Sequence, residues 1–220
     1  MAVVDPPAPA GSAAVVGAGP YRRAVLDVLL PRRCAVCAEP GSALCGPCAA
    51  QLPPAPERIP PGGLDDCWAL LAYDGETPRL VAELKFRNHR DVLSPITRAL
   101  AHFVTGSRIA VDSVTWAPTG SRRRRQRGFD QAELLARGVG RRASIPVTGV
   151  LERAAGGAQT GADRDHRLLG PAFRATAAAV GHVVVVDDVW TTGATLSAAA
   201  STLREAGAVR VSGLVLAVRP

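Results

Sequence analysis

Lysine is almost missing from this chain: of 26 basic residues in 220, one is a lysine, Lys85, and 25 are arginines. Aromatic residues are also scarce, at 4%. That leaves few rings for base stacking and requires a core built from Val, Leu and Ala, as suits buried parallel strands between helices. No window approaches the roughly 18 to 20 uninterrupted apolar residues that a membrane-spanning helix needs. The first 20 residues have no basic leader and contain Asp5, so a secretory signal is not expected there. They are small, Pro-rich and Gly-rich and read as a disordered leader.

Five cysteines without an export signal point to a reducing compartment, the cytoplasm, and to metal or free thiols over disulfides. Cys34-x-x-Cys37 and Cys45-x-x-Cys48 are two hooks that together offer four thiolates, enough to close a tetrahedral Zn²⁺ site and leave no open position for catalysis. Such a zinc is structural. The competing reading, two redox pairs, finds no surrounding βαβ pattern. Cys67 falls outside the spacing, in an apolar run, and reads as a buried thiol.

The formal net charge of +7 makes anionic partners plausible, whether phosphorylated small molecules or nucleic acid. The expected organisation is a leader at 1–20, a zinc-binding unit at 21–52 that opens with a short helix over Tyr21 to Leu30, a Pro-rich linker at 53–63, and one domain over 64–220. Within that domain, 64–110 reads as a small cap with a strand at Cys67 to Tyr73 and helices near 78–87 and 92–104. From residue 111 strands and helices alternate. Strands are expected at Ser113–Ala117, Val147–Leu151, His182–Val186 and Val209–Val218, with helices at Asp130–Arg142 and Gly193–Ala206. This alternation predicts an α/β fold with a mostly parallel sheet flanked by helices. The stretch from Glu152 to Gly181 has no firm period, which in a compact domain marks a functional or disordered loop.

The sharpest signal runs from Val183 to Thr195. Four valines form a strand buried on both faces, and Asp187 and Asp188 follow at the carboxyl edge, where open α/β sheets bind ligands. Thr191, Thr192, Gly193, Ala194 and Thr195 then lead into a helix, whose N–H groups and neighbouring hydroxyls can surround a terminal phosphate. Gly193 allows close backbone approach. The two carboxylates would accept from ribose hydroxyls near a bound Mg²⁺. A plain buried strand with an N-capping Thr is the alternative.

Gly120 to Gln131 carries five arginines within six positions, Arg122 to Arg125 and Arg127. Taken alone this is a solvated basic loop. Leaving the same sheet edge as Asp187, it places Arg125 and Arg127 where a pyrophosphate must be neutralised. Asp130 is a candidate N-cap of the following helix. Gln159 and Arg167 are candidates for a lid over the substrate. Lys85 keeps a compact ammonium in an arginine chain, as a phosphate contact would require, although chance also accounts for it.

The Val183–Thr195 segment matches the signature with which type I phosphoribosyltransferases bind 5-phosphoribosyl 1-pyrophosphate (PRPP). Taken in order with the cysteine unit, Lys85-Phe86, Arg127 to Gln131, Gln159 with Arg167 and Ala172-Phe173, the chain over roughly 30–220 resembles the ComF family. The resemblance implies a type I phosphoribosyltransferase-like fold behind the zinc unit, and PRPP contacts at Asp187, Asp188, Thr191, Thr192, Gly193 and Thr195. It also implies an association with natural competence and uptake of single-stranded DNA. The chain departs from the family pattern at Asp130, where Asn is usual, at Ala117-Pro118, and in a shortened gap from Arg167 to Phe173. Two functions are carried forward. One is a Mg²⁺-dependent transfer of phosphoribosyl from PRPP to an unknown acceptor. The other is a non-catalytic module that binds single-stranded DNA or DNA-uptake proteins on the same fold.

Overall fold

The structure is a computed structural model that describes residues 32–86, 90–107, 109–154 and 171–219. The leader, the helix expected over Tyr21 to Leu30, and Gln159 with Arg167 lie outside the described residues.

A short helix α1, Gly46–Gln51, belongs to the cysteine unit. Then come β1 (Asp66–Ala72), α2 (Thr77–Phe86), a 3₁₀ turn at Arg90–Val92, α3 (Leu93–Thr105), β2 (Ser113–Trp116), α4 (Ser121–Arg127), α5 (Gln131–Ala143), β3 (Leu151–Arg153), β4 (Phe173–Ala175), β5 (Gly181–Trp190), α6 (Ala194–Glu205) and β6 (Ala208–Val218). Strands β1, β6, β5 and β2 lie side by side in that order, and every pairing is parallel. Strands β3 and β4 form a separate antiparallel pair. This is the expected α/β architecture.

The two faces of the sheet explain the helices. Side chains alternate along a strand, so on β5 Val184 and Val186 join one apolar cluster while Val183 and Val185 join another. The first cluster takes in Leu80 and Leu84 from α2, Ile96 and Leu100 from α3, and Leu135 and Val139 from α5. The second takes Leu196, Ala199 and Leu203 from α6. The four valines are fully buried, as a strand covered on both faces must be. Helices α3 and α5 pack closely because Gly138 leaves room: a Cβ there would stand 2.5 Å from Thr97 Cγ2.

Two expectations need correction. Residues 64–110 are not a separate cap, because β1 pairs with β6 from Asp66↔Ser212 to Ala72↔Val218 and is an edge strand of the main sheet. Its half-exposed pattern follows from the edge position, which local sequence does not reveal. The linker continues this edge, with Ala72 N–H donating to Pro53 O and Ala55 N–H to Leu70 O. Likewise, the strand expected at Val147–Leu151 reduces to one parallel bridge between Val147 and Val114. The chain then leaves the sheet, and Leu151–Arg153 pairs antiparallel with Phe173–Ala175.

Candidate functional site

At the carboxyl edge of the sheet lies a cleft of about 280 Å³, floored by β5 and walled by the loop after β2, by α4 and by the start of α5. Strand β5 runs further than the valines: Asp187 is still in register with Val215, and pairing continues to Trp190↔Val218. The two acids are therefore held by a sheet and not by a loop. Both line the cleft with Thr191 and Thr195 from the turn into α6.

The acids differ in surroundings. Asp187 Oδ1 accepts from the Asp188 N–H at 2.8 Å. Burial, and then the adjacent Asp188, push the Asp187 carboxyl up to about 8. Asp188 Oδ2 is held by Lys85 Nζ at 2.8 Å, with both side chains about one-fifth exposed. Lys85 stands in the last turn of α2 and brings the one lysine of the chain into the cleft.

The arginine segment is helical from Ser121 to Arg127 rather than a loop, and this decides which side chains face inward. Positions four apart share a helix face, so Arg123 and Arg127 line the cleft together. Arg125, expected there, is on the exposed side and does not line it. Arg124 reaches Glu133 Oε2 at 3.7 Å. From β3, Arg153 completes a cationic wall, and burial and then the charge of Arg123 lower its pKa. Crowded guanidinium groups of this kind complement a multiply charged anion.

Asp130 caps α5 as expected, accepting from Ala132 N–H at 3.1 Å, and its other oxygen takes Thr119 N–H at 2.7 Å. One buried carboxyl thus ties the loop after β2 to the helix that follows the arginines. Burial raises its pKa against those hydrogen bonds. Beside it, Gln131 also lines the cleft, and among the described residues neither end of its buried carboxamide has a hydrogen-bond partner.

Around the threonine turn the roles divide. Thr192 does not line the cleft; its Oγ1 accepts from Ala194 N–H at 3.3 Å, at the entry to α6. Gly193 has φ +83°, and a Cβ there would stand 2.8 Å from the Pro61 ring. The glycine is required by its left-handed backbone and by the linker packed on it. Neither Gly193 nor Ala194 lines the cleft. Sequence reasoning missed Arg123, Arg153, Gln131, Tyr73 and Arg219 as cleft residues. Helical spacing through the arginine run was the available signal for Arg123; Arg153 offered none.

Away from the cleft, the sulfurs of Cys34, Cys37, Cys45 and Cys48 lie within 4.8 Å of one another. Cys37 and Cys45 Sγ are 3.8 Å apart, close to the about 3.8 Å edge of a tetrahedron built on Zn–S bonds of about 2.3 Å. Val36 and Cys45 N–H groups both point at Cys34 Sγ at 3.5 Å, as thiolate ligands require. The geometry fits one zinc ion. Cys67, expected as a buried thiol, is only partly buried, and desolvation still pushes its thiol up to about 12.

No described helix is long and apolar enough to cross a membrane. No protein-family model matches the chain, and no curated protein matches it. Among solved structures it is similar, over 61% of its length, to the allosteric regulatory enzyme of purine biosynthesis, with 20% identity and a TM-score of 0.42. Over 60% of its length it is similar to the glutamine PRPP amidotransferase of B. subtilis complexed with ADP and GMP, with 23% identity and a TM-score of 0.41. The chain spans 30% of the length of each.

Proposed function

We propose that this cleft binds PRPP with Mg²⁺ and that the chain is a phosphoribosyltransferase-like protein of the ComF type. The observation that carries the reading is the joint lining of one cleft by Asp187, Asp188, Thr191 and Thr195 on one side and Arg123, Arg127 and Arg153 on the other. Thr191, Thr195 and the start of α6 receive the 5′-phosphate. Asp187 and Asp188 accept from the ribose hydroxyls. The arginine wall takes the pyrophosphate, where charge grows as the C1–O bond breaks. In the transfer an acceptor attacks C1 and pyrophosphate departs, through a transition state with ribosyl-cation character. The protein contributes by holding the reactants in line and by placing fixed positive charge at the leaving group.

Two carboxylates and nearby hydroxyls are hard oxygen donors suited to Mg²⁺. Asp187 and Asp188 would hold it jointly with ligand oxygens, and when bound it neutralises phosphate charge. The zinc assigned to the four cysteines is structural. The competence association belongs to the same reading through the family resemblance, and a cytoplasmic location through the five cysteines; the acceptor is unidentified.

Calorimetric titration of the zinc-loaded protein with PRPP and Mg²⁺ tests the assignment. Saturable binding is expected in the native sequence and none in Asp187→Ala/Asp188→Ala. Absence of heat and of thermal stabilisation in the native protein would sink it. A second reading, a module for single-stranded DNA, draws on Arg122 and Arg125 of α4, which are exposed and do not line the cleft. It predicts that Arg122→Ala/Arg125→Ala flattens the salt dependence of DNA affinity and leaves PRPP titration unchanged.

A further inference from the structure

The contact between Lys85 and Asp188 joins the end of α2 to the floor strand of the cleft, at 2.8 Å and at low exposure. It occupies one oxygen of the acidic pair, while the Asp188 N–H occupies Asp187 Oδ1. We propose that Lys85 is a built-in counter-ion that closes the Asp187–Asp188 pair to a free divalent cation, so that metal enters only with the phosphorylated ligand that draws Lys85 away. The inference rests on the PRPP reading for the identity of that ligand, but the closure itself concerns the metal alone.

The closure is a charge exchange in a site of restricted solvation. A lone Mg²⁺ gives up its water reluctantly and holds near-ideal octahedral geometry. To reach both carboxylates it would have to displace the Lys85 ammonium from Asp188 Oδ2. A sugar diphosphate alters this balance. Its phosphates give the ammonium a new anionic partner in the same cleft, while the metal takes over Asp188. Both charges then remain paired throughout.

Lysine suits this role and arginine does not. A compact ammonium on a flexible stem can swing between partners, whereas a guanidinium holds a carboxylate through two parallel bonds and reorients less easily. The chain spends its one lysine at this position. Lys85 acts here as a positioning residue through Asp188, and its effect is read on metal binding rather than on turnover.

The test uses the full zinc-loaded chain and Mn²⁺ as the probe, followed by water-proton relaxation and by thermal melting. The native protein is expected to show no Mn²⁺ binding that depends on Asp188 until PRPP is added. Lys85→Met and Lys85→Gln are expected to bind Mn²⁺ without PRPP at least about tenfold more tightly. Their melting temperatures should rise with Mn²⁺, and Lys85→Met/Asp188→Asn should lose the gain. Lys85→Arg should stay closed to Mn²⁺ and take PRPP more weakly than the native chain. Native protein that binds Mn²⁺ alone as tightly as Lys85→Met overturns the proposal. So do folded Lys85→Met and Lys85→Gln proteins with no gain in Mn²⁺ affinity. Native protein that ignores PRPP while the Mn²⁺ arms behave as stated overturns the sugar-diphosphate reading and leaves the closure standing.

Discussion

The same sheet carries polar clusters at its two ends, and they are built to opposite rules. At the amino end, His182 Nε2 meets Ser212 Oγ at 2.8 Å and Nδ1 meets Ala110 O at 3.0 Å. Asp112 Oδ2 accepts the His182 backbone N–H at 2.8 Å, and Asp66 receives Arg210 and Ser212. Nearly every group has a partner; Arg210 Nε is left over on a side chain that Asp66 already holds. At the carboxyl end, two acids stand side by side, Arg123 crowds Arg153, and the Gln131 carboxamide has no partner among the described residues. A satisfied network rigidifies a fold; an unsatisfied one awaits something. The ends of one strand, β5, thus separate scaffold from site.

This contrast can be broken by exchanging the expected consequences. The largest loss of stability falls at the amino end. His182→Ala removes the 2.8 Å partner of Ser212 and opens a void, and should cost about 2–4 kcal/mol of stability in denaturant titration. The folded fraction should still bind PRPP with native affinity. A large affinity loss in a folded His182→Ala protein would show that the ends are not independent.

Next in size is the cationic wall. Arg123→Ala/Arg127→Ala should weaken PRPP binding about 10- to 100-fold at constant metal, with little change in melting temperature because neither residue is buried. Arg125→Ala serves as the internal comparison and should change affinity less than about threefold. Equal losses at Arg123 and Arg125 would remove the inference drawn from helical facing.

The pH dependence of Asp187 is the most diagnostic test of an unsatisfied site. The folded-state pKa of Asp187, about 8, lies above the unfolded value of about 3.9. Between those values the folded chain binds the extra proton, so the stability present below pH 4 is progressively lost as pH rises towards 8. Asp187→Asn should flatten that decline and melt higher than the native protein at pH 8. A variant that keeps the native slope would place the titrating group elsewhere.

What could be read from residues alone follows the range of the forces involved. Strand β5, helix α6, and helix α5 with its Asp130 cap are dictated by neighbours within a few positions, and their bounds agree with the sequence reading to about a residue or two except where β5 continues to Trp190. The place of β1 depends on Asp66 meeting Ser212, far along the chain, and no local pattern carries that. Arg125 was expected in the cleft because a loop has no facing. Once Ser121–Arg127 is helical, facing is determined and Arg123 takes the position. Lys85 stood out by composition, but its partner Asp188 is visible only in three dimensions.

The cysteine unit has one more implication. Cys34, Ala35, Val36 and Cys48 are buried in the same apolar cluster as Leu71 from β1 and Leu80 from α2. The knuckle is thus a plug in the main core rather than an appended ornament. If the four cysteines hold zinc as proposed, a chain stripped of it would uncover that core next to the edge strand, offering proteases and neighbouring chains an adhesive surface. Cellular zinc supply would then set the lifetime of the whole domain, including a cleft that never touches the metal.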